Sequence, residues 1–335
     1  MSQAYKKSSA LVWTVIALGS WLSHSASANQ LDDIISNDLA GDFAVAGIIH
    51  DSESLKIGFK SFDPNRFLPI QDDKLGNAES AKLKSELSSY TLPWTKEFKR
   101  KDSKWTPFFN LRLGLFERRA KTALLEGVTP DGDRSRTSVY SAFVGGGLKY
   151  QLTDTWSMEG LLGGYLQHYE SRYYYRNNVS GSLAYLFDGY IHNYDVDAWQ
   201  VNPSISATYR KNWGMKSFRF RSRVNYQHGR SFNATHPAHD ISIRAAHWRN
   251  SLHYKHPFGD IGKYPISGIV GVSRIEIFED LRFALNAAHY YEFHLDLQLD
   301  TRPAEFRWVD NLTFGVLINY GSAIRGASLT FSYND

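Results

Sequence analysis

Between His289 and Asp300 the chain alternates without a break. Tyr291, Phe293, Leu295, Leu297 and Leu299 fall on one parity, and Tyr290, Glu292, His294, Asp296, Gln298 and Asp300 on the other. A period of two places the two sets on opposite faces of an extended strand. Leu312, Phe314, Val316, Ile318 and Tyr320 repeat the pattern against Asn311, Thr313, Gly315 and Asn319, with Leu317 out of phase. Leu329, Phe331 and Tyr333 repeat it against Thr330 and Ser332. Upstream, Phe109, Leu111, Leu113 and Leu115 oppose Asn110, Arg112 and Gly114, and Val201 to Tyr209 alternates with Asn202 to Arg210. Phe218, Phe220, Val224 and Tyr226 oppose Arg219, Arg221, Arg223, Asn225 and Gln227. One such strand suits any antiparallel sheet with a wet face. A ladder of them from Trp105 onward predicts an all-β chain.

Residues 140–151 and 156–169 pair across the tight Thr153-Asp154-Thr155, and 241–254 and 266–278 supply two more strands. The phase of 266–278 slips near Ser273, where a bulge is expected to absorb it. Phe43 to Ile49 and Leu55 to Phe59, separated by His50 to Ser54, predict a hairpin within 43–61. Pro64, Pro69 and Pro93 then punctuate a stretch in which 77–90 reads as the one helix of the mature chain. The total is twelve strands, or ten if the early hairpin lies outside the sheet. With the Trp105 strand taken as outward-going, connections alternate long and short: 117–138, 171–197 and 229–240 against 152–155 and 210–216. That asymmetry, broken only by the short 321–324, is expected of a membrane barrel.

Targeting and composition sharpen the picture. Lys6 and Lys7, an apolar core over 10–22, and Ala26-Ser27-Ala28 form a secretory signal with cleavage expected after Ala28. The core is too short for the roughly 20 residues a spanning helix needs. The chain has no cysteine, so no lipid anchor on cysteine and no disulfide framework. Removing the signal changes 38 basic and 34 acidic residues to 36 and 34, a balance of +2 that excludes a nucleic-acid partner. Mean hydropathy is negative, with 20 Tyr, 20 Phe and 9 Trp and no long apolar run after the signal. A barrel with a polar lumen and aromatic girdles accounts for all of this. The expected fold is therefore an antiparallel transmembrane β-barrel in the outer membrane of a Gram-negative cell. Its parts are a signal (1–28), an N-terminal segment with hairpin and helix (29–104), and the main barrel body (105–335), which the 43–61 hairpin joins. A soluble secreted β-sandwich is the competing fold.

The ladder, Phe143-Val-Gly-Gly-Gly-Leu-Lys-Tyr150, Leu312-Thr-Phe-Gly-Val-Leu317 and the ending Gly326-Ala-Ser-Leu-Thr-Phe-Ser-Tyr333 together resemble the solitary outer-membrane autotransporter-like β-barrel family of marine gamma-proteobacteria. The resemblance covers about 94–333. It implies a twelve-stranded translocator-type barrel without a passenger, assembled by the outer-membrane assembly machinery. That machinery would read Gly326, Leu329, Phe331 and Tyr333, although Asn334-Asp335 follow the last aromatic. In such barrels a helix precedes the first strand and occupies the lumen; here 78–90 is the candidate plug, with a periplasmic helix as the alternative.

A charged side chain on the lipid face costs roughly 2–4 kcal/mol near the midplane. Arg112, Arg210, Arg219, Arg221, Arg223, Glu292, His294, Asp296 and Asp300 are therefore expected to face the lumen. They form either cross-lumen ion pairs in a filled barrel or the lining of a selective pore. His192, Asp195, His236, His239 and Asp240 fall in expected outer loops, where an oriented imidazole suits hydrolysis. They match no catalytic signature, and neither catalytic residues nor a metal site nor a cofactor is assigned. The expected function is a structural or narrow-pore barrel. An outer-membrane hydrolase and a surface adhesin or receptor acting through 171–197 and 229–240 are the alternatives. The basic run Lys96 to Lys104 reads first as a solvated linker flank, with contact to anionic headgroups or lipopolysaccharide as the alternative.

Overall fold

A computed structural model describes residues 24–51, 55–58, 87–122, 124, 129, 132–285, 287–304, 309–321 and 326–333. Twelve strands close into one barrel in which every neighbour is antiparallel. In chain order they are β1 (Leu55–Gly58), β2 (Leu87–Glu97), β3 (Trp105–Thr122), β4 (Asp133–Gln151), β5 (Trp156–Tyr174) and β6 (Tyr194–Trp213). Then follow β7 (Lys216–Phe232), β8 (Ser242–Ile261), β9 (Tyr264–Glu279), β10 (His289–Asp300), β11 (Asn311–Tyr320) and β12 (Gly326–Tyr333). Sequence neighbours pair throughout, and β1 closes the ring on β12 over four residues, Leu55 opposite Phe331 to Gly58 opposite Ser328. Closure joins the two ends of the sheet through this short strand, and a closed sheet is what can cross a bilayer.

The two parities separate as the alternation predicts. On β10, Phe293, Leu295 and Leu297 are exposed on the outer wall while Tyr290, Glu292 and Gln298 are buried inside. On β5, Leu162 and Leu166 are 62% and 58% exposed, whereas Leu161, Tyr165 and Tyr169 are buried. Trp94 against Phe109, Trp105 against Tyr150 and Trp156 against Tyr209 form aromatic pairs near the short turns, with ring centroids 6.0, 4.4 and 5.2 Å apart. Trp199 and Tyr209 bound the apolar outer face of β6. Ten residues at about 3.3 Å, tilted about 45°, span roughly 24 Å, the height of a barrel's apolar band.

The described helical connections between strands are mostly at one end. That end carries the loop 175–193 with its short helices α2 (Asn178–Ser182) and α3 (Ala184–Phe187), 233–241, and α4 (Asp280–Leu285). The other end carries 98–104, 152–155, 214–215, 262–263 and the 3-10 turn Arg302–Ala304.

One element precedes the strands: α1 (His24–His50), a 27-residue helix running inside the barrel from the long-loop end to mid-height. Ile35, Leu39, Phe43 recur every four residues, as do Ala40, Ala44 and Ile48, so two adjoining stripes face the wall. Phe43, Ala44 and Ala46 have no exposed surface.

This corrects the predicted hairpin: Phe43 to Ile49 is the last part of α1, and only Leu55–Gly58 is a strand. A seven-residue apolar run looks alike in a buried strand and a buried helix. The predicted helix is corrected where it can be seen, because Leu87 to Tyr90 belong to β2, opposite Arg118 to Leu115 of β3. Tyr90, Leu92 and Trp94 alternate outward with Thr91 buried inward, a strand pattern that runs straight through Pro93. The rest of that prediction, 77–86, lies outside the described residues. Within the 29–104 segment, β1 and β2 are strands of the barrel and α1 lies inside it. The bulge sits on β8 between Pro257 and Gly259, not at Ser273. Pairing is continuous through Ser273, and the apparent slip arises because Ile275 and Ile277 face inward onto α1.

Candidate functional site: a lumen in two storeys

The outer storey, toward the long loops, is filled. Leu39, Ala40, Phe43, Ala44, Val45 and Ile48 of α1 pack on inward residues of β3 to β10, among them Phe116, Val139, Val196, Ile243, Ile275 and Tyr290. A fully buried Leu, Ile or Phe stabilises by roughly 1.5–3 kcal/mol over its exposed state. The wall also makes room: a Cβ on Gly114 of β3 would lie 2.3 Å from the His50 ring. At the top, Tyr190 donates to Asp32 at 2.7 Å and Ser36 to the Ala238 carbonyl at 2.8 Å, fastening α1 to two loops. A Cβ on Gly41 would meet Ala284 of α4 at 2.6 Å, which marks how closely the two helices touch.

The floor of this storey is Asp51, directly after α1 and 3% exposed in its side chain. Its carboxylate takes a bond from Arg112 of β3, lies 3.3 Å from Arg223 of β7, and accepts from Asn225 at 2.7 Å. His247 Nε2 of β8 stands 3.2 Å away. Four groups from three strands thus converge on one charge at the end of the helix. Arg112 also lies over the Phe143 ring at 3.7 Å. Beneath the floor on the β3–β5 side, Phe108, Phe143, Leu161 and Tyr165 form a second apolar cluster. A Cβ on Gly163 would come within 2.2 Å of Phe143, so glycine there admits the ring.

The lower storey on the other side is open. A cavity of about 600 Å³ lies between β6 and β12, reaching from Asp51 to the short turns. Of the nine charged residues expected inside, Arg210, Arg219, Arg221, Arg223, His294, Asp296 and Asp300 line it. Arg112 sits behind Asp51, and Glu292 behind Arg249, to which it is ion-paired. Arg221 pairs with Glu159 at 3.1 Å. The inward face of β8 was not singled out in the sequence, yet it adds His247, Arg249, His253 and Lys255, readable there as one parity of 241–255.

The loop histidines are held apart from any acid–base partner arrangement. His239 is fully buried, its Nε2 2.8 Å from the Tyr190 carbonyl and its ring stacked on Tyr194 at 3.9 Å. Asp240 points away to Arg230 at 3.1 Å. His236 accepts from the Ala238 amide at 3.1 Å and closes a turn. His192 stacks on Tyr173 at 4.2 Å; burial, outweighing Asp188 nearby, lowers its pKa to about 4. Asp195 pairs with Arg172 at 2.5 Å. His168, Glu170 and Asp195 come together on the outer wall, but His168 is held by Asp197 at 2.7 Å, and Arg172 lies 3.8 Å from Glu170.

At the remaining sequence-marked positions, Leu329 and Phe331 of β12 face outward, Phe331 with its ring 4.8 Å from Phe314. Gly326 and Tyr333 are the ends of that strand. Ala26 and Ala28 fall in the first turns of α1, and residues 1–23 of the signal lie outside the described residues.

A closed antiparallel barrel with a lipid-compatible outer wall and a helix-filled lumen defines an outer-membrane barrel protein. The family model described as the solitary outer membrane autotransporter beta-barrel domain matches residues 40–335, and the chain belongs to that family. It resides in the outer membrane of a Gram-negative bacterium. Three similar solved structures are at low identity. The translocator domain of the autotransporter NalP from Neisseria meningitidis has TM-score 0.48 at 10% identity, covering 74% of this chain and 82% of that one. The beta domain of the Bordetella autotransporter BrkA has 0.45 at 11%, covering 74% and 89%. LpxR from Salmonella typhimurium has 0.43 at 10%, covering 83% and 97%. No curated protein matches the chain.

Proposed function

We propose that this autotransporter-type barrel works as a plugged outer-membrane protein, structural or at most narrow-pored, with no passenger to pass through its lumen. The observation that carries this reading is α1, whose apolar residues interlock with seven or more strands and whose end is tied to the wall through Asp51. A segment in transit needs a slippery path; this helix has matched cavities such as Gly114 for His50. The barrel would sit with its long loops outside, in contact with lipopolysaccharide. The Lys96–Lys104 turn, at the short-turn end, would then meet phospholipid headgroups of the inner leaflet. The outward pair Leu329 and Phe331, on the strand that Tyr333 ends, is the surface offered to the assembly machinery. Single-channel recording of the full chain in a planar bilayer tests the plug. Conductance near baseline, rising on removal of 29–50, is the expected result. Steady large-pore currents from the intact chain would refute it.

A further inference from the structure

We propose that the periplasmic rim of β6 to β9 is a binding surface for an anionic phospholipid with two phosphates on one glycerol, the cardiolipin class. It rests on the orientation given above, with the short turns in the periplasm. Two adjoining hairpins build the surface. β6 and β7 turn through Gly214 and Met215, and β8 and β9 through Gly262 and Lys263, each glycine at a φ of +61°. Phe218 of β7 stands opposite Tyr254 of β8, so the two turns lie two strands, roughly 10 Å, apart on one continuous wall.

Both hairpins run past the aromatic pair Trp156 and Tyr209, which marks the lower edge of the apolar band. Trp213 and Met215 are each 51% exposed, Ile261 64% and Phe258 70%, an apolar surface that calls for a cover. Phe258 is the extra residue of the β8 bulge. A Cβ on Gly268 would lie 2.2 Å from its ring, so glycine there lets the ring rest against the outer wall. Basic groups are interleaved with these apolar ones. Lys211, Lys216 and Lys263 are all exposed, and none has a carboxylate partner among the described residues. The Lys211 ammonium lies 5.4 Å over the Trp213 ring and that of Lys263 5.5 Å over Tyr264, contacts that place the charge without neutralising it. Asp260 stands opposite Pro265, a cavity-lining position, and so falls on the inward parity.

Exposed apolar side chains beside uncompensated lysines, at the edge of a wall already covered by lipid, fit a ligand with both acyl chains and phosphate. Lysines at a bilayer surface draw anionic headgroups. Lys211 stands opposite Phe218 and Lys216 opposite Trp213, so the two lysines are diagonal neighbours, about 7–8 Å apart at the backbone. That pair takes one phosphate, and Lys263 on the next hairpin takes the other. Joining both phosphates through one glycerol makes the second contact intramolecular, which two separate lipids cannot match. The acyl chains cover Trp213, Phe258 and Ile261. A zwitterionic headgroup brings its own ammonium and gains little from three lysines.

Native mass spectrometry of the folded full chain in a non-ionic detergent tests the surface with cardiolipin, phosphatidylglycerol and phosphatidylethanolamine. One cardiolipin held roughly tenfold or more tighter than either other lipid is the expected result. The triple variant Lys211→Gln/Lys216→Gln/Lys263→Gln should lose about tenfold or more in cardiolipin affinity. It should keep its heat-modifiable gel shift, since all three side chains are exposed. Lys99→Gln/Lys101→Gln, elsewhere on the same rim, should bind cardiolipin as the parent does. Wild-type affinity in the triple variant overturns the proposal, as does equal binding of the three lipids. Phosphatidylglycerol held as tightly as cardiolipin overturns the two-phosphate assignment, and an equal loss in the Lys99/Lys101 variant overturns the assigned place. A wild-type chain that shows no gel shift would instead count against the barrel reading itself.

Discussion

The two storeys of the lumen are built from the same strands, yet they solve opposite problems. Above Asp51, inward positions are Val139, Val196, Ile243, Ile275 and Ile277, and a helix fills the space. Below it, inward positions of β6 to β9 include Arg210, Arg219, Arg249, Ser251, His253 and Lys255, and the space is an open cavity. A single strand such as β9 crosses the border, polar at Ser267 and Ser273 and apolar from Ile275 on. What distinguishes the halves is the occupant each was given, and the border is set where α1 ends. Asp51 can be buried there because Arg112, Arg223, Asn225 and His247 surround it; an uncompensated charge at that depth would cost several kcal/mol.

The sharpest way to break the comparison is at the border. Asp51→Ala leaves Arg112 and Arg223 buried without their anion and should lower stability by about 3–5 kcal/mol. The gel-shift transition would move to markedly lower temperature. Phe43→Ala, in the filled storey, should cost about 3–5 kcal/mol by opening a cavity under the helix. Arg219→Gln in the open storey should cost nothing on the same gel. Next comes the wall itself: Leu162→Lys, facing lipid, should lose roughly 2–4 kcal/mol, whereas Ser217→Lys, facing the cavity, should fold as well as the parent. Gly114→Val probes the fit of helix to wall and should cost about 1–3 kcal/mol through its clash with His50.

The smallest effect is in the outer loop. Burial holds the folded pKa of His192 at about 4, below the ordinary value of 6.5, so its contribution is complete above pH 6.5. It is lost as pH falls from 6.5 towards 4, because the unfolded loop binds the proton more readily. Amide protection in 187–193, corrected for the intrinsic pH dependence of exchange, should therefore fall across that window and be constant above it. An equal response in His192→Phe would remove the assignment.

The strands were legible because lipid on one side and a polar or crowded lumen on the other enforce a period of two. Phe293 to Leu299 and Arg219 to Gln227 carry it openly. The upper lumen blurs it, since Ile275 and Ile277 are apolar on the inner face and mimic a phase slip. α1 was hidden for the same reason: a helix buried on nearly all sides loses its polar face over 43–49. The recoverable signal was the four-residue spacing of Ile35, Leu39 and Phe43. The charged lining on β6, β7 and β10 was readable by parity. Asp51 was not, because nothing local marks a residue just past a helix as the centre of contacts from strands more than 60 to nearly 200 positions away.

The lack of native cysteine allows one direct test of the two-storey lumen. Ser217→Cys lines the open storey and Ala198→Cys lies against α1 in the filled one. Each is exposed to a large, membrane-impermeant maleimide, first on intact cells and then on cells opened to give access to the periplasm. The structure predicts labelling of Ser217→Cys only after opening, and of Ala198→Cys under neither condition. Labelling of Ser217→Cys on intact cells would contradict a barrel sealed on its outer side.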